Sequence, residues 1–538
     1  MGSQTWPQNI GMLFEHFADS PRPVFHLDRP LDIAPEEGTR FTVRALDEQV
    51  KRASGALAKA GVGPGDQVAV VKDNHLDIIL LAAAAARVGA LPALISATVP
   101  SADLAVMLER LGPKALVAAP SVLSAAAEAA VALVEPGVTV LAAGAGQAPP
   151  GAELFTEYTG APVPPATPRP DHEPMICTHT SGTTGVPKLV VHSAQSMMGV
   201  LARMAAMMKL PGLGTQKDEV IASCIAYVHA RAFAWIGETL LRPGSEVLVL
   251  TDPEPSSVAT HLTRHPPTFV DASPNIYQRW EPLTETHSKL FSRTRMFINT
   301  FDAIHPGTVR KFLDCSERKR PIWGQAWGQS ETGPLTMGVL TARAVRRARG
   351  KPDSVTSNVG RGVPRVAKFT VVDPETRQPL PAGTPGLLLA KTDFRALTYL
   401  GENDRFQEKD WDGWWNTGDI GTRSRTGVIR LVDREVDTIP GMSGIELESV
   451  LLDRLERATE IIILSSQGRR PVPVIATYDG ELRPSDWARA TGDLPAMEEP
   501  ILIGWDEFPR TGTWKVRRHE LRSSLLGSDD TYGTGRWT

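Results

Sequence analysis

Residues 41–95 read FTVRALDEQVKRASGALAKAGVGPGDQVAVVKDNHLDIILLAAAAARVGALPALI, and this stretch decides the fold class. Apolar residues recur at helical spacing from Phe41 to Val62, where Gly61, Gly63, Pro64 and Gly65 break the pattern into a turn. QVAVV (67–71) then reads as a short buried strand, LDIILLAAAAARVGA (76–90) as a buried helix and LPALI (91–95) as a second strand. SADLAVMLERLG (101–112) supplies a third helix. Strands alternating with helices at this spacing predict a parallel α/β sheet covered on both faces.

Working outward, the same alternation returns around residues 187–250 and 265–330, with a Pro/Gly-rich surface linker expected at 147–170. After about residue 355 the texture becomes short strands and turns; KFTVVDPETRQPLPAGTPGLLLA (368–390) reads as a hairpin. A further change near residues 433–437 leads into a tail that opens with the helix ELESVLLDRLERA (446–458). The expected division is a large domain over 1–433 and a small one over 434–538, ending in a polar stretch, GSDDTYGTGRWT.

Composition excludes several classes. With 42% hydrophobic and 22% charged residues over 538 positions, the chain is neither disordered nor fibrous, and a net charge of −4 gives no global field for nucleic acid. A basic run, ARAVRRARGKP (342–352), reads as a solvated face. Two Ala-rich stretches, 78–86 and 115–134, are too short or too interrupted to cross a membrane, and both read as core helices. The opening residues lack the basic start and apolar core of a signal peptide. Cys177, Cys224 and Cys315 match no metal spacing and read as free thiols, so a soluble, cytoplasmic protein is expected.

The segment MICTHTSGTTGVPKLVV (175–191) carries the strongest chemical signal. Gly182 and Gly185 let backbone N–H groups close on phosphate oxygens, Thr180, Ser181, Thr183 and Thr184 add hydroxyl donors, and Lys188 adds a point charge. Gly-Lys-[Ser/Thr] is absent, so it is not a Walker loop.

This segment resembles the phosphate loop of the acyl-adenylate-forming superfamily, which includes acyl-CoA synthetases and peptide-synthetase adenylation domains. Four further signatures follow in order: WGQSETGP (327–334), WWNTGDIG (414–421), LVDREVD (431–437) and FPRTGTWKVRRHELR (508–522). The resemblance covers nearly the whole chain. More loosely, the chain resembles diterpenoid-acid activating ligases of platensimycin-type biosynthesis. It implies an acetyl-CoA synthetase-like α/β fold: layered α/β subdomains with a small β-rich one, and a small mobile α+β C-terminal domain.

The implied reaction is attack of a carboxylate on the α-phosphorus of ATP, giving an acyl-adenylate and pyrophosphate. By motif, Glu331 and Thr184 would hold Mg²⁺, Ser330 would contact the α-phosphate, and Trp327 beside Gly328 would stack on adenine. Asp419 would accept the ribose hydroxyls, with Arg434 nearby, and Lys515 would close over the site as a compact cation. His229 falls at the expected mouth of the acyl pocket. Met197, Met198, Met204, Met207 and Met208 suit an adaptable apolar wall, and no Asp occurs in 224–236 to hold a substrate amine. A bulky, apolar carboxylic acid is therefore expected.

Three departures stand out. Phe301 and Asp302 replace small residues of the family pattern, Trp514 precedes Lys515 where Gly is usual, and Pro440 takes the place of a usual lysine. Only residues 435–445 separate Arg434 from Glu446, about four fewer than the fuller pattern, and the Gly-Tyr-Arg segment is missing. This shortened loop implies weak or absent transfer to CoA, with the acyl-adenylate left for a separate acyltransferase or carrier. A complete acyl-CoA synthetase and a catalytically silent acyl- or nucleotide-binding protein stay open as alternatives.

Overall fold

The structure, a computed structural model, describes residues 6–180, 186–201, 216–300, 303–348, 355–434, 443–465, 469–511 and 515–527. Two compact units organise the chain. One comprises Met1–Asp252, Ser330–Gly333 and Asp393–Gln407, and the other Pro253–Gln329, Pro334–Thr392 and Glu408–Thr538.

In the first unit, helix Val43–Lys59 starts where the Thr42 side chain accepts the Ala45 N–H, 3.2 Å away, and it buries Leu46, Val50, Ala53 and Leu57. It stops at Gly61, whose φ of +84° only glycine adopts readily. Strand Gln67–Lys72 follows, parallel to Leu91–Ser96 on one side and Ala115–Ala118 on the other. Helix Asp77–Arg87 is buried along its whole length, as an Ala-rich helix between packed layers must be. The sheet order is Thr398–Tyr399, Leu189–Ser193, Pro174–His179, Leu91–Ser96, Gln67–Lys72, Ala115–Ala118, Thr139–Ala142 and Glu153–Leu154. A second sheet in this unit pairs Val220–Cys224, Glu246–Val249 and Val24–Leu27 in parallel.

The reading of 115–134 as one core helix is corrected. Ala115–Ala118 is a fully buried parallel strand, and only Pro120–Glu128 is helical, with Val122 and Ala126 turned inward. Alanine fits both a crowded central strand and a helix, so its run carries no period of its own; Pro120, at the first helical turn, marks the change.

In the second unit, three parallel strands, Phe269–Ala272, Met296–Asn299 and Ile322–Gln329, carry an aromatic core. Tyr277, Phe291, Phe297, Phe312 and Trp323 pack with ring centres 4.6–6.4 Å apart. The polar tips are satisfied: Tyr277 donates to the Val270 carbonyl, and the Trp323 indole to Asn299 Oδ1 at 2.7 Å. Beyond them the expected hairpin pairs Ala367–Val372 with Gly386–Thr392, which in turn pairs with Trp414–Arg423. Near the C-terminus, helices Gly444–Arg454 and Arg518–Leu526 flank a sheet of Ala458–Leu464, Val472–Thr477 and Ile501–Leu502. Glu460, buried there, accepts from Arg510 at 2.9 Å and from Asn275 at 3.1 Å.

The three cysteines are free. Burial pushes the thiols of Cys177 and Cys224 far up, and that of Cys315 up to about 11, so none is a reactive thiolate at neutral pH. No described helix is long and apolar enough to cross a membrane.

One buried charge tests the packing of the first unit. The Lys72 ammonium, fully buried, lies 2.7 Å from Asp32, 3.0 Å from the Ala143 carbonyl and 3.6 Å from Asp77. Burial pushes the Asp32 carboxyl up, but Lys72 and Arg29 outweigh it and leave it below its ordinary value. Lys72→Met leaves buried carboxylates without their cation and should cost about 3–5 kcal/mol by urea unfolding. Because the Asp32 value is lowered, its contribution is present above the ordinary carboxylate range and is lost as pH falls through the lowered value. The variant should show a smaller acid-side loss, because only Arg29 is left to hold the Asp32 carboxyl down.

Candidate active site

The first unit carries the strands that flank the expected phosphate loop, together with Ser330 and Glu331. Strands Pro174–His179 and Leu189–Ser193 form an antiparallel pair that Thr180 and Lys188 close: the Thr180 N–H donates to the Lys188 carbonyl, and the Lys188 N–H to Thr180 Oγ1, both at 3.0 Å. The sequence-predicted Ser181, Gly182, Thr183, Thr184 and Gly185 lie outside the described residues. What is described is the hydrogen-bonded pair Thr180 and Lys188 that flanks them. His179 braces it, accepting the Ser96 N–H on Nε2 and donating from Nδ1 to the Thr180 carbonyl at 2.7 Å.

Ser330 and Glu331 belong to the same unit. The phenol of Tyr399 donates to Glu331 Oε1 at 2.5 Å, and the Lys188 ammonium lies 5.0 Å from the centre of the Tyr399 ring. Burial, then the charge of Glu331 and the bond to it, push the Tyr399 phenol well above its ordinary value, so it stays a donor throughout the working pH range. Ser330 is buried. Its carbonyl lies 2.8 Å from His192 Nε2 and its hydroxyl 3.1 Å from His229 Nε2. His229 also caps helix Ala230–Leu241, its Nδ1 accepting the Arg231 N–H at 3.2 Å. Met197 and Met198 are buried, and a Cβ at Gly237 would meet Met198 Cε at 3.2 Å, so Met198 packs on that helix. Met204, Met207 and Met208 lie outside the described residues.

The second unit brings together Trp327, Gln329 and Asp419. The indole N–H of Trp327 donates to Asp419 Oδ2 at 3.2 Å, and the Gln329 amide donates to the same oxygen at 3.0 Å and to the Thr417 carbonyl at 2.6 Å. Gln329 Oε1 accepts from the Trp415 indole at 3.1 Å. The turn that presents Asp419 needs Gly418 at φ +66°, and the Thr417 hydroxyl accepts the Asp419 N–H. Trp327 is half-buried against Phe369, and Gly328 is exposed. Arg434 pairs in register with Asp419 on the neighbouring strand. Lys515 sits at the foot of a hairpin, where the Thr511 N–H donates to its carbonyl and Thr511 Oγ1 accepts its N–H. Asp302 lies outside the described residues.

A family model described as AMP-binding enzyme matches residues 16–400. The chain belongs to the AMP-binding enzyme family. It is 37% identical to a 3-amino-2-hydroxy-4-methoxybenzoate diazotase of Streptomyces cremeus, over 96% of each chain. It is 24% identical to 4-coumarate–CoA ligase 5 of rice (Oryza sativa subsp. japonica), over 95% of this chain and 94% of that one. In fold it is similar to the amide bond synthetase McbA of Marinactinospora thermotolerans, with a TM-score of 0.73, 20% identity and coverage of 96% and 100%. The benzoate CoA ligase of Burkholderia xenovorans gives 0.77, 18%, and 96% and 99%. This AMP-binding enzyme is an ATP-using, acid-adenylating ligase with the expected acetyl-CoA synthetase-like fold.

Three residues that position the site were not singled out in the sequence: His192, Tyr399 and Gln329. Gln329 occupies the variable place of its motif, His192 sits in a wholly buried strand and Tyr399 in a two-residue one, so neither spacing nor charge marks them. Tyr399→Phe, which removes the phenol oxygen alone, should lower the rate of pyrophosphate release about tenfold with little change in melting temperature. Because the phenol does not titrate in the working range, wild type and variant should share the same alkaline limb in a pH–rate profile.

Proposed function

We propose that this enzyme activates nitrite with ATP and delivers the nitrosyl group to an aromatic amine, as a diazotase. The full-length 37% identity to the diazotase of Streptomyces cremeus carries this reading. A nitrite oxygen attacks the α-phosphorus and pyrophosphate leaves. The amine nitrogen attacks the nitrosyl nitrogen of the mixed anhydride, AMP leaves, and the amine gives up a proton. Tautomerisation and loss of water from the N-nitroso product yield the diazo group. The barrier of the first step is an anion approaching a polyanion, which fixed donors and cations lower.

In this reading Lys188 and the loop from Thr180 hold the terminal phosphates, Ser330 the α-phosphate, Asp419 the ribose and Trp327 the adenine. Arg434 assists at the nucleotide, and Lys515 closes over the reacting oxygens on a mobile lid of residues 434–538. Glu331 fits Mg²⁺ as a hard carboxylate that Tyr399 orients through one oxygen, and Thr184 would complete the set. The metal, when bound, neutralises phosphate charge.

A second reading keeps a bulky apolar carboxylic acid as the oxyanion, within natural-product biosynthesis, with the acyl-adenylate passed to another protein. The shortened 435–445 segment supports both readings against a complete acyl-CoA synthetase, because neither needs a pantetheine tunnel.

The purified enzyme, with ATP and Mg²⁺, should be given nitrite plus an aminobenzoate, or a panel of apolar acids, each with and without CoA, and the products followed by mass spectrometry. Diazo product, AMP and pyrophosphate formed without CoA are expected. Accumulated acyl-adenylate would favour the second reading, a CoA thioester would identify a complete acyl-CoA synthetase, and no AMP from any oxyanion would identify a silent binding protein. Lys515→Ala should slow pyrophosphate release about 100-fold while ATP still binds.

A further inference from the structure

Among the described residues, Ser330 is engaged by imidazoles at both backbone and side chain, His192 at its carbonyl and His229 at its hydroxyl. The polarity of these bonds follows from their partners. Nδ1 of His229 accepts a backbone N–H from Arg231, so in the neutral ring the proton sits on Nε2, which donates to Ser330 Oγ. A carbonyl can only accept, so His192 donates from Nε2 to Ser330 O. His192 is fully buried, and burial pulls its pKa down to about 4, so this ring is neutral in the working range.

One lone pair of Ser330 Oγ is therefore taken by His229, and the hydroxyl proton is left to be donated. A serine with a free rotor can face a ligand as donor or acceptor; this one, with one lone pair engaged, is biased toward donating its proton. We infer that His192 and His229 are positioning residues that hold Ser330 in place and commit its hydroxyl to donating to an anionic oxygen of the reacting substrate. Resting on the adenylation reading above, this gives His229 a role beyond its expected place at the mouth of the acyl pocket and gives His192 a role that its apolar strand conceals. With one of the two lone pairs of Ser330 Oγ engaged, the arrangement offers a ligand one donor and a single remaining acceptor position. It favours oxyanions, phosphate or nitrite alike.

A double-mutant cycle tests it. His229→Asn keeps the helix cap, since asparagine accepts the Arg231 N–H equally well, but is too short to reach Ser330. His229→Asn and Ser330→Ala should each slow oxyanion-dependent pyrophosphate release about 10- to 100-fold, mainly in kcat, and the double variant should be no slower than Ser330→Ala alone. His192→Gln, which keeps a donor for the carbonyl, should retain more activity than His192→Leu; if the leucine variant does not fold, the cycle on His229 decides. Losses that multiply in the double variant would overturn the arrangement, because His229 would then act independently of Ser330. A wild type that releases no pyrophosphate with any oxyanion would instead overturn the adenylation reading itself.

Discussion

Anionic and hydroxyl groups that must meet a polyphosphate have to be held without using up the positive charge the substrate needs. Among the described residues, neutral donors engage three of the groups expected at the nucleotide. The Trp327 indole and Gln329 amide fix Asp419, the Tyr399 phenol fixes Glu331, and two imidazoles fix Ser330. Hydrogen bonds to a charged acceptor are worth more than neutral ones, about 1.5–3 kcal/mol each, so a phenol or an amide suffices to orient a carboxylate.

This division of labour explains why the local folding around the site is so constrained. Asp419 is presented by a glycine in the left-handed region with a threonine hydroxyl under its N–H, and Ser330 is buried. The loop base at Thr180 and Lys188 is tied by two backbone donors and braced by His179. Asp419 and the loop base are thus held by hydrogen bonds of their own strands, and preorganisation of this kind is a general source of catalytic stabilisation.

Much of this was legible in the sequence. Alternating strands and helices over 41–112 gave the parallel sheet, and the ordered motifs gave the family. Other features were not legible, for physical reasons. Ala115–Ala118 became a strand because alanine has no period and a crowded sheet centre accepts it. His192, Tyr399 and Gln329 act through partners more than 60 residues away, and only the folded chain brings those partners within reach. The expectation of a bulky apolar acid drew on methionines, of which Met198 packs against a helix, so their number says little about the substrate.

The central claim is that an oxyanion is activated by adenylyl transfer, and the fate of its oxygen tests this most directly. The enzyme should be supplied with ATP, an aminobenzoate and nitrite labelled with heavy oxygen, and the AMP examined by mass spectrometry. Attack of the nitrite oxygen on the α-phosphorus predicts AMP carrying one labelled oxygen. Unlabelled AMP, with the label only in water or in inorganic phosphate, would contradict the account.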